Sequence, residues 1–68
     1  MPKFFVDKKQ ISDENIIITG DDAKHIKTVL RSKVGDKLTL CDGDSNDFLC
    51  EIQDFQGNDI NTLILEKI

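Results

Sequence analysis

At 68 residues, the chain has room for one domain and a small core, because chains of this length bury only about 60% of their unfolded surface. Its 38% hydrophobic and 32% charged residues are typical of a folded globular protein and argue against disorder. The apolar runs are too short to span a membrane, and residues 1–9 lack the features of a signal peptide. We therefore expect a cytoplasmic location and no membrane partner.

Two apolar segments in the N-terminal part predict β-strands. The first covers residues 3–6 and is followed by a polar turn at residues 7–10. The second, Asn15 to Thr19, is rich in isoleucine. It is preceded by Asp13-Glu14 and followed by Gly20-Asp21. Such a short, continuous apolar run is typical of a strand buried on both faces.

The segment that follows predicts the only α-helix of the chain, over about residues 21–31. Asp21 is the expected N-cap, where an acidic side chain suits the positive end of the helix dipole. Gly35 is the expected stop signal. On an ideal helix one side is apolar and should pack on the core. This side carries Ala23, Ile26, Val29 and Leu30.

The remaining residues alternate between apolar and polar, which predicts strands rather than helices. A strand at residues 37–41 is followed by a turn at 42–47 and by a return strand at 48–53. A second turn at 56–59 precedes a last strand at 62–66. The strands at residues 37–41 and 48–53 are therefore predicted to form a hairpin.

Together these elements predict a mainly β fold, a small closed or nearly closed barrel of about five strands with one helix packed on it. The helix would cover an end that the strands leave open. The predicted core contains Ile17, Ile26, Leu30, Leu38, Leu40, Ile52 and Leu63.

An acidic segment partly matches a calcium-binding loop. Asp42, Asp44 and Asn46 have the spacing of its first ligands, but Asp47 replaces the required glycine and Gln53 replaces the final glutamate. A hairpin turn is therefore the better interpretation of this segment.

No other pattern predicts catalysis or metal binding. The sequence contains no phosphate-binding glycine loop, no nucleophile elbow and no pair of histidines for zinc. Cys41 and Cys50 are expected to remain free thiols on neighbouring strands. We expect no catalytic, cofactor or metal site in this chain.

Positive charge is concentrated on the predicted helix, although the net charge is −4. Lys24, Lys27 and Arg31 form one narrow stripe away from the apolar side, and residues 23–35 contain no acid. Such a stripe can bind RNA phosphates. The alternative is a solvated helix face, and the acidic excess in residues 38–68 weakens the RNA hypothesis.

His25 lies at the edge of the apolar side, where it could pack half-buried or contact a base or phosphate. Lys3 and Lys33 extend the basic stripe at the N-terminal strand and after the helix. The candidate RNA-binding residues are Lys3, Lys24, His25, Lys27, Arg31 and Lys33.

Three segments resemble the N-terminal domain of RsmE-type enzymes, the bacterial 16S ribosomal RNA uridine methyltransferases. They are KFFV near the start, the long segment GDDAKHIKTVLRSKVGDKLTLCDGD, and FLCEI. The resemblance implies that residues 1–68 form a PUA-like β-barrel that helps to bind ribosomal RNA. His25 and Arg31 match the family's motif, which implies a role on the RNA side for both.

The resemblance also implies a longer parent protein. In this family a knotted (SPOUT-type) methyltransferase domain follows, binds S-adenosylmethionine and forms a homodimer. We expect this chain to be a domain of such a protein, to bind no cofactor and to be inactive alone. The alternative hypothesis is a protein-interaction or dimerisation module that uses the acidic face of the barrel.

Overall fold

The computed structural model describes residues 3–68, which form one five-stranded sheet and one α-helix. This confirms the predicted mainly β fold with one helix. A short 3₁₀ turn at Lys8–Gln10, capped by Asp7, follows the first strand. The elements are β1 (Lys3–Phe5), β2 (Asn15–Ile18), α1 (Gly20–Thr28), β3 (Lys37–Cys41), β4 (Asp47–Gln56) and β5 (Asp59–Lys67).

The sheet has the strand order β1-β3-β4-β5-β2. Strands β3 and β4 form the predicted hairpin, β5 pairs antiparallel with β4, β2 pairs antiparallel with β5, and β1 pairs parallel with β3. The β4–β5 pairing shifts register between Leu49 and Cys50 and between Ile52 and Asp54. Such irregularities bend and twist strands, and the sheet curls into a half-barrel with β1 and β2 at its edges.

The core fills the inner face of this half-barrel. Strand β2 alternates: Ile16 and Ile18 are fully buried, whereas Ile17 is only half-buried. The prediction that β2 is buried on both faces was therefore wrong, and Ile17 and Leu63 do not belong to the buried core. The buried core contains Val6, Ile16, Ile18, Ala23, Ile26, Leu38, Leu40, Cys50, Ile52 and Ile60.

Helix α1 is shorter than predicted. It begins after Thr19, which occupies the N-cap position without a side-chain hydrogen bond, so the prediction of Asp21 as N-cap was wrong. The helix buries Ala23 and Ile26 and ends at Thr28. Residues 3–68 contain no helix long and apolar enough to cross a membrane.

Two residues of the predicted apolar helix side lie outside the core at the end of the helix. Leu30 is 41% exposed and Val29 is 65% exposed. The Ser32 N–H donates to the Ile26 carbonyl, and Arg31 adopts a left-handed backbone with φ of 52°. Because the chain turns outward there, Leu30 cannot follow Ile26 into the core, and the prediction that it packs there was wrong.

The segment resembling a calcium loop is the hairpin turn between β3 and β4. The Asp42 carboxylate accepts hydrogen bonds from the backbone N–H of Asp44 (2.8 Å) and from the amide of Asn46 (2.9 Å). The side-chain hydrogen bond from Asn46, followed by the backbone bond from Asp44, holds the pKa of Asp42 below its usual value. The carboxylate thus serves the turn itself.

Both cysteines are free and buried. Cys41 lies opposite Asp47 in the β3–β4 pairing, whereas Cys50 lies opposite Leu38, so the register does not place the thiols across from each other. Burial raises the pKa of the Cys50 thiol. Cys50 therefore behaves as a small core residue.

The different burial of Ile26 and Leu30 gives a test of this packing. Ile26→Ala should lower the free energy of unfolding by about 2–5 kcal/mol, because it leaves a cavity in the core. Leu30→Ala should lower it by about 1 kcal/mol or less, because its side chain is already partly hydrated. Urea denaturation of both variants measures the difference, and equal losses would contradict the position of Leu30 outside the core.

The left-handed backbone of Arg31 gives a second test. A side chain with a Cβ costs about 1–2 kcal/mol in this conformation, and glycine removes that cost. Glycine also gains entropy in the unfolded chain, which offsets part of the benefit. Arg31→Gly should therefore leave the unfolding free energy unchanged or raise it by up to about 1 kcal/mol. In the same urea titration Arg31→Ala should be no more stable than the unsubstituted protein; a marked loss in the glycine variant would refute the assigned conformation.

Candidate nucleic-acid interface

The six predicted RNA-binding residues are exposed on three segments of the chain. Helix α1 carries Lys24, His25 and Lys27, the loop after it carries Arg31 and Lys33, and β1 carries Lys3. Helix α1 packs through Ala23 and Ile26, so its lysines remain on the solvent side. The basic stripe is thus exposed, as predicted, but its members differ in what they contact.

Two of these cations are engaged within the protein. The Lys27 ammonium donates to the Gly57 carbonyl (2.9 Å) and lies 5.9 Å from the centre of the Phe55 ring. The Lys3 ammonium pairs with Asp47 at 3.2 Å. Lys27 therefore links α1 to the β4–β5 turn, and Lys3 links β1 to β4.

The other three cations, Lys24, Arg31 and Lys33, form no ion pair within residues 3–68. The backbone around them is nevertheless fixed. The Lys33 N–H donates to the Asp36 carboxylate (2.8 Å), and the Gly35 N–H donates to the Ile52 carbonyl (2.8 Å). The loop after α1 thus holds two unpaired positive side chains on a backbone that is tied to β4.

His25 is exposed, whereas the packing alternative from the sequence expected it to be half-buried. Its ring contacts Phe4 edge-on, with the ring centres 6.1 Å apart. The helix places Ala23 and Ile26 toward the core and leaves the two residues between them, Lys24 and His25, exposed. The His25 ring thus lies beside β1 and remains accessible to solvent.

The lysines of α1 line a surface cleft of about 430 Å³. One wall is the helix, which contributes Gly20, Lys24, Lys27 and Thr28, and the other is Asn58 in the β4–β5 turn. Sequence reasoning missed Asn58. Gly57-Asn58 could be recognised as a turn, but no local signal shows that this turn approaches the helix.

Two further lysines form ion pairs near the sheet. Lys8 pairs with Asp44, and Lys37 pairs with Glu51 at 4.0 Å. Both pairs join a cation to the acidic half of the chain. The described residues contain no group of three side chains that could hold a metal ion.

Comparisons with known proteins agree with this geometry. A family model described as the RNA methyltransferase PUA domain matches residues 18–64. Ribosomal RNA small subunit methyltransferase E of Bacillus subtilis is 30% identical over 97% of this chain and 27% of its own length. The chain thus spans little more than a quarter of this curated relative.

Solved structures show the same fold. A probable rRNA-methyltransferase from Porphyromonas gingivalis superposes with a TM-score of 0.83 at 28% identity, over 100% of this chain and 27% of that protein. A ribosomal RNA small subunit methyltransferase E from Neisseria gonorrhoeae, bound to S-adenosyl methionine, superposes with a TM-score of 0.82 at 20% identity, over 100% of this chain and 28% of that one. Since the family model covers more than half of its residues, this chain belongs to the family of RNA methyltransferase PUA domains.

Proposed function

We propose that this chain is the RNA-binding domain of an S-adenosylmethionine-dependent 16S ribosomal RNA uridine methyltransferase. Residues 1–68 would form the PUA-like domain, and a SPOUT-type catalytic domain, absent from this sequence, would transfer the methyl group and form the homodimer of a cytoplasmic parent. The observation that carries the RNA-binding role is the set of unpaired cations Lys24, Arg31 and Lys33 on α1 and the loop after it.

These cations have the chemistry that phosphate recognition requires. Each lysine ammonium attracts a phosphate as a compact charge, whereas the planar Arg31 guanidinium can hold two phosphate oxygens at once. Because no carboxylate within residues 3–68 pairs with them, an incoming phosphate does not have to displace an internal partner. Binding then releases counterions from the RNA and becomes weaker as salt increases.

The lining of the cleft beside α1 does not fit S-adenosylmethionine. The cofactor carries a positive sulfonium, and the cleft is lined by the ammonium groups of Lys24 and Lys27. Like charges in one cleft repel each other. We therefore place cofactor binding and methyl transfer in the parent's other domain, and the role of this domain is to position the RNA.

Removal of the unpaired cations tests the RNA-binding role. Lys24→Ala, Lys33→Ala and Arg31→Gly should each weaken binding of a 16S ribosomal RNA fragment and reduce its salt dependence. The slope of log K against log salt should fall by about 0.7–0.9 for each phosphate contact that is lost. Arg31→Gly should cause the largest loss, and its glycine suits the left-handed backbone there. Fluorescence anisotropy across a salt series measures both quantities.

Lys67→Ala is the matched control, since Lys67 is an exposed lysine on β5 outside the proposed interface. This variant should change neither the affinity for the RNA fragment nor the slope of log K against log salt. If Lys67→Ala and Arg31→Gly have equal effects, binding is diffuse electrostatics and the helix face is merely solvated. Self-association in analytical ultracentrifugation without any RNA binding would favour the protein-interaction module instead.

A further inference from the structure

We propose that the cleft between α1 and the β4–β5 turn binds one unpaired nucleotide of single-stranded RNA. In this arrangement the Lys24 ammonium contacts the phosphate and the Asn58 amide contacts the hydrogen-bonding edge of the base. The inference rests on the proposed RNA-binding function and goes beyond it, because it names the form of RNA and a neutral residue that reads the base.

The helix wall of the cleft follows from helical spacing. Gly20, Lys24 and Thr28 are four residues apart and therefore lie above one another on one side of α1. Gly20 has no side chain, so that end of the cleft stays open. The Thr28 hydroxyl donates to the Lys24 carbonyl (2.7 Å), which leaves its oxygen available to accept a hydrogen bond from a ligand.

The opposite wall is a tight two-residue hairpin turn. Gln56 pairs with Asp59, and Gly57 between them has a φ of 61°, a backbone that suits glycine at the first central position of a type II′ turn. Asn58 follows at the second central position. The bond from Lys27 to the Gly57 carbonyl ties this turn to the helix and so fixes the width of the cleft.

The size of the cleft suits a small ligand. Its volume of about 430 Å³ lies within the range of about 300–1,000 Å³ that is usual for small-molecule pockets. A single nucleotide that leaves its base stack can enter such a space. A regular RNA duplex keeps its bases stacked and their Watson–Crick edges paired, so it cannot insert a base into the cleft.

The chemistry of the lining distinguishes a nucleotide from a simple anion. The Asn58 amide makes no hydrogen bond within residues 3–68, and it presents a donor and an acceptor side by side. A nucleobase edge presents the complementary pair. The Lys27 ammonium lies 5.9 Å from the centre of the Phe55 ring, so that ring is not a free platform for stacking. Recognition in the cleft therefore depends on hydrogen bonds and on the Lys24 charge.

Acidic residues flank the cleft without lining it. Asp21 and Asp22 follow Gly20 on the helix, and Asp59 follows Asn58 on β5. The lining itself contains two ammonium groups, one hydroxyl and one amide. The flanking carboxylates reduce non-specific attraction of phosphates, which makes contact with Asn58 more important for binding.

Asn58→Ala tests this inference on the 68-residue chain. Affinity for a short mixed-sequence single-stranded RNA should fall about three- to tenfold, as expected for the loss of one or two hydrogen bonds. The slope of log K against log salt should not change, since the amide is neutral and its loss removes no phosphate contact by a cation. Affinity for the blunt duplex that the same RNA forms with its complement should be unaffected. NMR titration should also shift the Asn58 side-chain amide resonances when the single strand is added.

Gln53→Ala is the matched control, because Gln53 is an exposed amide on β4 outside the cleft. If Asn58→Ala and Gln53→Ala bind the single strand alike while Lys24→Ala and Arg31→Gly still weaken binding, the cleft inference is wrong and the proposed function stands. If neither RNA binds, both fail. If free adenosine or uridine monophosphate saturates the cleft at concentrations where the single strand does not, the site serves free nucleotides and the inference is overturned.

Discussion

The structure depends on the packing of one short helix against the inner face of the curled sheet. Helix α1 has nine residues, and isolated helices shorter than about 12–15 residues are marginal in water. The helix is stabilised because Ala23 and Ile26 are buried in one cluster with residues of the sheet. Because only these two residues are buried, the remaining positions of α1 are free to carry charge at little cost to stability.

The contact between Lys27 and the β4–β5 turn has a structural role in the same region. This lysine donates to a carbonyl at the tip of a hairpin rather than to a carboxylate, so no opposite charge offsets its own while it holds two elements together. The helix is thus attached to the sheet by apolar packing on one side and by this bond on another. The attachment places the Lys24 side chain across from Asn58 and creates a cleft that neither element contains alone.

Local patterns in the sequence predicted much of the fold, because strand alternation and turn residues act over short distances. Leu38, Leu40 and Ile52 are buried as predicted, and β3 and β4 form the predicted hairpin. The parallel pairing of β1 with β3 and the approach of Asn58 to α1 depend on tertiary contacts that no local pattern encodes.

The end of the helix was mispredicted for a related reason. Gly35 was the expected stop signal, yet the left-handed turn occurs four residues earlier, at Arg31. Arginine gives no sequence signal for that conformation, since glycine or asparagine usually occupies it. The prediction that Leu30 lies on the apolar side assumed an ideal helix, but the helix ends at Thr28. The basic stripe was predicted as one helical surface for the same reason, although Arg31 lies beyond the helix.

The division of charge is compatible with the proposed nucleic-acid interface on an acidic chain. Lys3, Lys8 and Lys37 are paired with acids of the sheet and its turns, whereas the cations of the α1 region lack such partners. Charges separated by more than about 8 Å are largely screened at physiological salt, so the local surplus matters more than the net charge of −4. With few free cations, phosphate attraction alone gives limited affinity for any RNA. Under the proposed function, discrimination between RNAs would depend on neutral groups that read base edges, and a polar amide across from an unpaired lysine has that chemistry.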